Sequence, residues 1–513
     1  MKRKFVQWVL AIAVVAAMGG TSVAQARPRP EPKENWASLD HFIRTSMKAW
    51  HVPGAAVAIV RDKSVVFIKG FGVRDIRTGA PVTPDTLFDI GSCTKAFTAA
   101  AVGMLVDEGK MRWDGRVRDY IPFFHLYDPL ADEQVTMRDL LTHRTGVPGT
   151  DLLWYGAPYT QEEIVRRMAY AKPDAGFRAK FQYQNVMYMV AGYAVGQVAG
   201  ETWDQFVQQR IFDPLGMTDS DTSAEAAEQS PNFSAPHFEE PSGKVVAIPW
   251  RNIDDIAPAG AINSSARDMA KWITLQLSDG VYDGKRLISA ESMHEMHSPQ
   301  MVIRGNEGMR EEFFPDEKLL SYGMGWFIED YRGHELILHP GDIDGFSTMV
   351  ALIPGEDTGF VVLVNLGNMY RQVLAYHIVD QLLGLPETDW SAHFRAFRER
   401  MERERQQRIE SWWAKRAKGT HPSRDLAAYA GTYRNKLYGR AQITVDKGKL
   451  VLHYHGFSST LEHLQYDTFV TDLRLMGSGR VTFALNADGN VARFAVSGIR
   501  FRREKAKPNS AEK

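Results

Sequence analysis

Residues 86–110 read TLFDIGSCTKAFTAAAVGMLVDEGK: a polar turn runs into an alanine-rich apolar segment that stops at a glycine. The pattern predicts a helix that opens near Ser92 and ends at Gly109, a residue suited to the left-handed position beyond a last turn. Ser92 and Lys95 are three apart, so they lie one above the other on a single helix face. Ser92 also stands at the helix start, where free backbone N–H groups favour nearby negative charge. A buried Lys amine with a lowered pKa can take a hydroxyl proton, and that turns a weak Ser hydroxyl into a nucleophile. Spacing alone is not specific, because Ser510 and Lys513 share it in the polar tail. Cys93, the single cysteine of the chain, is turned roughly 100° from the Ser92/Lys95 face. It reads as a small core residue, and with no possible intrachain disulfide the fold must rest on its core.

Two later motifs complete the set. Tyr183-Gln184-Asn185 precedes the apolar, small-residue run VMYMVAGYAVGQVAG, and His339-Pro340-Gly341 follows the strand-like HELIL and leads into DIDGFSTMVALIP. Tyr433-Arg434-Asn435 repeats the tyrosine motif far from this region, so the specificity lies in the ordered triple S-x-x-K, Y-x-N, H-x-G. With that triple the chain resembles the serine β-lactamase and penicillin-binding-protein superfamily, and most of all its class C-like esterase and D-aminopeptidase branch. The resemblance covers roughly residues 35–385 and extends to VTMRDLLTHRTGVPG, IFDPLGMTDS, APAGAINSSARDMAKW and SYGMGW. It implies an α/β fold, with an antiparallel sheet flanked by helices, an all-helical lobe and an active site between them. It also implies roles. Ser92 is the nucleophile, Lys95 its base, and Tyr183 the relay to the leaving group and to the deacylating water. Asn185 bonds Lys95 and the acyl side of the substrate, and the backbone N–H groups of Ser92 and Asp342 form the oxyanion hole.

The third motif departs from the family's Lys-Thr-Gly. A histidine at 339 is mostly neutral at pH 7, and Pro340 has no hydroxyl. In a strand Pro340 and Asp342 point to one face and His339 and Gly341 to the other, so neither face makes a strong carboxylate clamp, and Asp342 repels one. His339, Gly341 and Asp342, with Asn185, are the expected substrate-binding residues. The pattern favours esters, or amides whose acyl donor carries no carboxylate there. A β-lactamase or D-Ala-D-Ala carboxypeptidase is the alternative, and a non-turnover acylated sensor or ligand-binding scaffold is the rival from another class. No G-x-S-x-G, P-loop or G-x-G-x-x-G is present, which excludes the α/β-hydrolase elbow and the common nucleotide motifs. His294/His297 lack the spacing of a zinc site, and His453 and His455, read as two imidazoles on one strand face, lack a third ligand, so no metal and no cofactor are expected.

The 513 residues are 44% hydrophobic and 24% charged, with a formal net charge of −1. That is an ordinary globular balance with no sign of nucleic-acid binding. Lys2-Arg3-Lys4, the apolar run that follows and Ala24-Gln25-Ala26 read as a cleaved signal peptide, residues 1–26, too short in its apolar part to span a bilayer stably. The mature chain is expected to be exported, and periplasmic if the source is Gram-negative. The hydrolase domain is expected over 27–389, with strands in GAAVAIVRDKSVVFIKGFG and again from Tyr322 to Asn365, the latter separated by RG, GDIDG (341–345) and GEDTG turns, sharing one sheet. Thr136 and Ser265, each followed three residues later by Asp, read as helix starts. Residues 390–419 read as a charged, solvated spacer helix docked through Trp412-Trp413. Short alternating strands over 420–505 read as a β-rich domain that resembles the lipocalin-like domain of many relatives, a candidate route to oligomers. Residues 506–513 read as a disordered tail. The expected partner is a small ester, peptide or β-lactam-like substrate.

Overall fold

The computed structural model describes residues 35–304, 313–314, 319–473 and 477–504. The expected signal segment and C-terminal tail lie outside these. Among the described residues one antiparallel sheet holds nine strands: β1 (Gly54–Arg61), β2 (Ser64–Asp75), β3 (Ala80–Pro81), β4 (Met301–Val302), β5 (Leu320–Tyr322), β6 (Phe327–Tyr331), β7 (His334–Ile343), β8 (Phe346–Ile353) and β9 (Thr358–Val364). Their order is β4-β5-β6-β7-β8-β9-β1-β2-β3, so the N-terminal hairpin joins the late strands through β1 against β9. β1 and β9 are apolar at nearly every position because both sheet faces are covered. Ala56, Ala58 and Val60 point to one core, and Ala55, Val57 and Ile59 to the other, as a two-residue side-chain period requires.

The first core holds α2 (Thr94–Asp107), α3 (Asn185–Ala199) and α4 (Ala266–Leu277), together with the helical lobe that fills the chain between β3 and α4. α2 is buried along nearly its whole length, and its alanines let neighbours come close on every side. Gly109 follows its last turn at φ +70°. Thr136 caps the helix Met137–Leu141, and Asp139 reaches back to the Thr136 N–H, a complete capping box. Ser265 caps α4 by accepting from the Asp268 N–H. Asp268 does not reach back, because its carboxylate accepts from the Asp219 N–H, Ser220 and Lys271.

The second core, on the opposite face, holds α1 (Trp36–Ala49), α5 (Tyr370–Leu383) and the start of α6 (Trp390–Lys415). The long charged helix is therefore anchored where a solvated spacer was expected. Trp390, Phe394 and Phe397 are buried, and Phe394 stacks on Phe313 at 4.5 Å. Only its later turns carry charge on all sides. Trp412 meets the following domain under Arg480, at 5.5 Å.

Eight strands then close into an antiparallel barrel: β10 (Gly431–Asn435), β11 (Gly439–Asp446), β12 (Lys449–Tyr454), β13 (Phe457–Gln465), β14 (Thr468–Leu473), β15 (Gly477–Leu485), β16 (Val491–Val496) and β17 (Ile499–Arg503). Alternate residues such as Leu450, Leu452 and Tyr454 point inward. The barrel is joined to the helical lobe by specific contacts. Tyr454 donates to the Leu152 carbonyl at 2.8 Å, Arg167 donates to the Leu437 carbonyl at 3.1 Å, and Tyr155 stacks on Phe457 at 5.4 Å. No helix among the described residues is long and apolar enough to cross a membrane.

The anchored start of α6 makes a stability prediction. Phe394→Ala should lower unfolding free energy by about 3–5 kcal/mol, whereas Met401→Ala, at a site 49% exposed on the same helix, should stay within about 0.5 kcal/mol. Urea unfolding of both variants checks the pair. Equal small effects would mean that the helix is a free spacer.

Candidate active site

The site is built where α2, α3, one turn of the helical lobe and β7 converge. Gly91–Cys93 form a single 3-10 turn that continues into α2, so Ser92 sits half-buried at the helix start. Lys95, one turn on, is fully buried and aims its Nζ back at Ser92 Oγ, 2.9 Å away. Two more acceptors hold it: Asn185 Oδ1 at 2.7 Å and the Ala259 carbonyl at 2.7 Å. Burial lowers the Lys95 pKa to about 7, partly opposed by the Asp151 carboxylate. A neutral amine has two N–H bonds and one lone pair. With two fixed acceptors already present, the lone pair is left facing Ser92.

Each holder is itself held. Asn185 opens α3, capped by Gln184, and its Nδ2 donates to Asp151 Oδ1 at 2.9 Å. Asp151 also accepts from Trp154 Nε1 at 2.9 Å. Ala259 lies in the short helix Ala257–Gly260, which Thr98 of α2 ties down by donating to the Pro258 carbonyl at 2.6 Å. Tyr183 precedes the cap and brings its ring 4.9 Å from Lys95 Nζ. Its hydroxyl lies beside Ser92, and burial pushes the phenol well above its ordinary range, so it stays neutral. Tyr188 adds a second aromatic wall at 5.5 Å.

β7 runs straight through His339-Pro340-Gly341-Asp342 to Ile343, so the turn expected over 341–345 is confined to Asp344 and Gly345. Its approach to Ser92 depends on two glycines. A Cβ on Gly341 would stand 1.9 Å from the Ile90 carbonyl oxygen, and one on Gly91, whose φ is +51°, would stand 2.8 Å from the Asp342 nitrogen. Gly341 thus contributes space, and the Asp342 N–H lies next to the turn that carries Ser92. Asp342 points to the opposite face of β7, the α5 side, where its side chain is 61% exposed and Arg371 pairs with it. Arg371 also donates to the Gly341 carbonyl at 3.2 Å and to Ser347 at 2.7 Å. The charge expected to repel a carboxylate is therefore matched by a guanidinium.

His339 shares the face of Gly341, toward Lys95 and with its ring 6.2 Å from that of Tyr183, and is only 1% exposed. It forms part of the floor beneath the site and does not present a group to a substrate. Its Nδ1 faces the Pro340 carbonyl at 2.6 Å and its Nε2 the Tyr322 hydroxyl at 3.0 Å. Since a carbonyl only accepts, Nδ1 carries the proton and Tyr322 donates to Nε2. Burial and the nearby Lys95 lower its pKa to about 3, so it is neutral. Cys93 is buried, donates to the His339 carbonyl at 3.2 Å, and is raised by burial to about 11.

The structure thus brings Ser92, Lys95, Tyr183 and Asn185 together, sets the Asp342 N–H beside them, and puts His339 underneath. Asp151, Ala259, Tyr322 and Arg371 were not picked out from the sequence. Ala259 and Tyr322 lie inside family-like segments, but a backbone carbonyl leaves no residue signature. Among the described residues no group of three or more His, Cys, Asp and Glu is placed to hold a metal ion.

Comparison with known proteins bears on the family and the fold. Residues 39–383 match the family model described as Beta-lactamase, and residues 415–508 match a domain of unknown function, DUF3471. The chain is 29% identical over 496 residues to unguisins hydrolase ungD of Aspergillus violaceofuscus, covering 88% of this chain and 86% of that protein. It is 26% identical over 350 residues to protein flp of Staphylococcus aureus, covering 67% and 66%. In fold it is similar to the octameric penicillin-binding protein homologue from Pyrococcus abyssi, with a TM-score of 0.61, 24% identity and coverage of 91% and 99%.

The electrostatics make a direct prediction. Lys95 should titrate near 7 by NMR of ¹⁵N-labelled lysine. Asp151→Asn should move that midpoint lower, because removing a nearby negative charge disfavours the ammonium. An unmoved midpoint would place Asp151 outside the charge balance of the site.

Proposed function

The chain belongs to the Beta-lactamase family and is a hydrolase of that fold, and from this we propose that it is an exported serine hydrolase that forms an acyl-enzyme on Ser92 and cleaves an ester or amide. The observation that carries the reading is the Lys95 amine, buried, brought to about 7 and 2.9 Å from Ser92 Oγ with its other donors occupied.

As Ser92 Oγ attacks the substrate carbonyl carbon, its proton passes to the neutral Lys95 amine. The carbonyl oxygen becomes an oxyanion, which the N–H groups of Ser92 and Asp342 are placed to receive. Collapse re-forms the C=O bond and breaks the bond to the leaving group. That group takes the proton from Lys95 through the neutral Tyr183 hydroxyl and departs as an alcohol or amine. Water then attacks the acyl-enzyme, giving one proton along the same route to the departing Ser92 oxygen, and the acid is released. Asn185 keeps Lys95 aimed throughout. Asp342 and Arg371 neutralise each other, so this end of the cleft offers no spare cation to a substrate carboxylate, and esters or amides without one are favoured. A relative named as a hydrolase, of unguisins, supports hydrolysis as the reaction class. Export is read from the basic and apolar leader, residues 2–26.

Ser92→Ala should abolish labelling by a fluorophosphonate probe and lower ester turnover on the order of 10⁴-fold or more. Cys93→Ala should keep most activity. Turnover that survives loss of Ser92 and disappears with Cys93 would overturn the assignment. kcat/KM should rise with pH through about 7, since the ammonium that dominates below that value cannot accept the Ser92 proton. A profile flat from pH 5 to 9 would remove Lys95 as the base. Asp342→Asn should leave the buried Arg371 guanidinium without its carboxylate partner and lower unfolding free energy by about 1–3 kcal/mol, read by urea unfolding. An unchanged midpoint would mean that the pair contributes nothing to stability.

A further inference from the structure

A cavity of about 980 Å³ starts at Asn185 and Asp342, beside Ser92, and runs into the open end of the C-terminal barrel. That is the upper end of the size of small-molecule sites, about 300–1,000 Å³. Its near wall is Tyr155, Trp250 and Phe346 of the hydrolase domain, and its far wall is Ala441, Leu452 and Phe494, which point into the barrel. The barrel is tightly filled elsewhere by rings such as Tyr429, Tyr433 and Phe483. At this end small side chains stand in place of large ones: Ala441 on β11, and Gly479 of β15 across from Thr471 of β14. The charges on the way are already matched, since Arg251 donates to Asp344 at 2.9–3.0 Å and Tyr155 donates to the same carboxylate. The path is thus largely apolar beyond its mouth, where Asp151 and Asp342 stand, with the Arg251–Asp344 pair as the polar step along it.

We propose that this end of the barrel is the acyl subsite: it takes an aliphatic or aromatic chain carried by the acyl half of the substrate, which leaves the catalytic cleft past Trp250 and ends between Ala441, Leu452 and Phe494. The proposal rests on the serine hydrolase reading above. The acyl half follows from which site residues line the cavity. Neither Ser92 nor Tyr183 lines the cavity, but Asn185, the residue placed on the acyl side, and Asp342, whose N–H is placed for the oxyanion, both do. Two further features place the barrel in the site. Leu152, next to Asp151, packs on the barrel core, and burial, with the Asp151 carboxylate adding to it, raises the phenol pKa of Tyr438 at the start of the barrel. The domain of unknown function then has a concrete task, which is to set the length and shape of the acyl chain.

The test uses the full chain and p-nitrophenyl esters from acetate to decanoate. kcat/KM should rise about two- to fourfold per added methylene until the chain fills the channel. Ala441→Phe, which fills the barrel end, should cut the decanoate-to-acetate ratio at least tenfold. Gly479→Leu is the second variant, because a Cβ there meets only ordinary contacts, 3.4 Å or more away, so folding is preserved. A binding arm needs no chemistry: Ser92→Ala titrated calorimetrically with decanamide and with butanamide should bind decanamide at least tenfold more tightly, and Gly479→Leu in that background should erase the difference. Acetate turned over with a flat chain-length profile would overturn the subsite. So would a gain that follows the length of the alcohol and not of the acyl chain. Esters left intact by the unmutated chain, with decanamide still preferred by Ser92→Ala, would sink the hydrolase reading and uphold the barrel end as an apolar-chain site.

Discussion

A lysine amine taken out of water needs partners on every side, and the demand of Lys95 organises this protein. Desolvating a charged group costs several kcal/mol unless it is paired or neutralised. Here both remedies act: the pKa falls to about 7 and two acceptors from distant parts of the chain take the N–H bonds. Asn185 is 90 residues away and Ala259 is 164. The start of α3 and the Ala257–Gly260 helix must therefore both pack on α2 before the amine is satisfied. The small residues around α2 make that packing possible. Gly192 of α3 leaves room for Pro258, where a Cβ would stand 2.3 Å from the proline ring. Helix-to-helix closeness and the chemistry of one nitrogen are a single requirement.

The second constraint is the approach of β7 to the turn before Ser92. It is dictated by absent side chains, Gly91 and Gly341, and secured by Thr348, which donates to the Ile90 carbonyl at 2.9 Å. The residues at 339 and 340, where the family's lysine and threonine are replaced, leave this backbone architecture intact. What they change is polarity. His339 becomes a neutral floor group bonded to Tyr322, and the charge nearest the cleft on β7 is Asp342, matched by Arg371. The backbone framework is kept while the fixed cation and hydroxyl of the family's motif are absent, and that separates scaffold from side-chain chemistry at a single strand.

Much of this was legible in the residues. The helix from Ser92 to Gly109, the Thr136–Asp139 capping box, the N-terminal hairpin and the shared sheet all follow from local patterns that the tertiary structure reinforces. The misreadings have physical causes. GDIDG looks like a turn because Gly and Asp are turn formers, yet β8 and the Ser92 turn hold residues 341–343 in the strand. The 390–415 helix looks solvated because charge dominates its average, and three aromatics on one stripe of its first turns, Trp390, Phe394 and Phe397, outweigh that average by burial. His455, expected on one strand face with His453, lies past the end of β12 at φ +51° against Tyr159. Ala259, Asp151 and Arg371 act through a carbonyl or through pairs across long stretches of chain, which no local window contains.

The strand order has a consequence for how the molecule is made. β1 pairs on one side with β2, its neighbour in sequence, and on the other with β9, where Ala55 faces Val364. A ribosome delivers these two residues many seconds apart, at about 5–20 residues per second. Throughout that interval the N-terminal hairpin offers an unpaired apolar edge, the kind of surface that invites pairing with other chains. Loop-closure entropy grows only logarithmically with length, so the finished sheet loses little stability by this arrangement; the burden falls on the rate, as it does for topologies dominated by distant contacts. A protein built this way depends on whatever shields a nascent hairpin, and its yield in a foreign host is governed by that wait more than by the stability of the product.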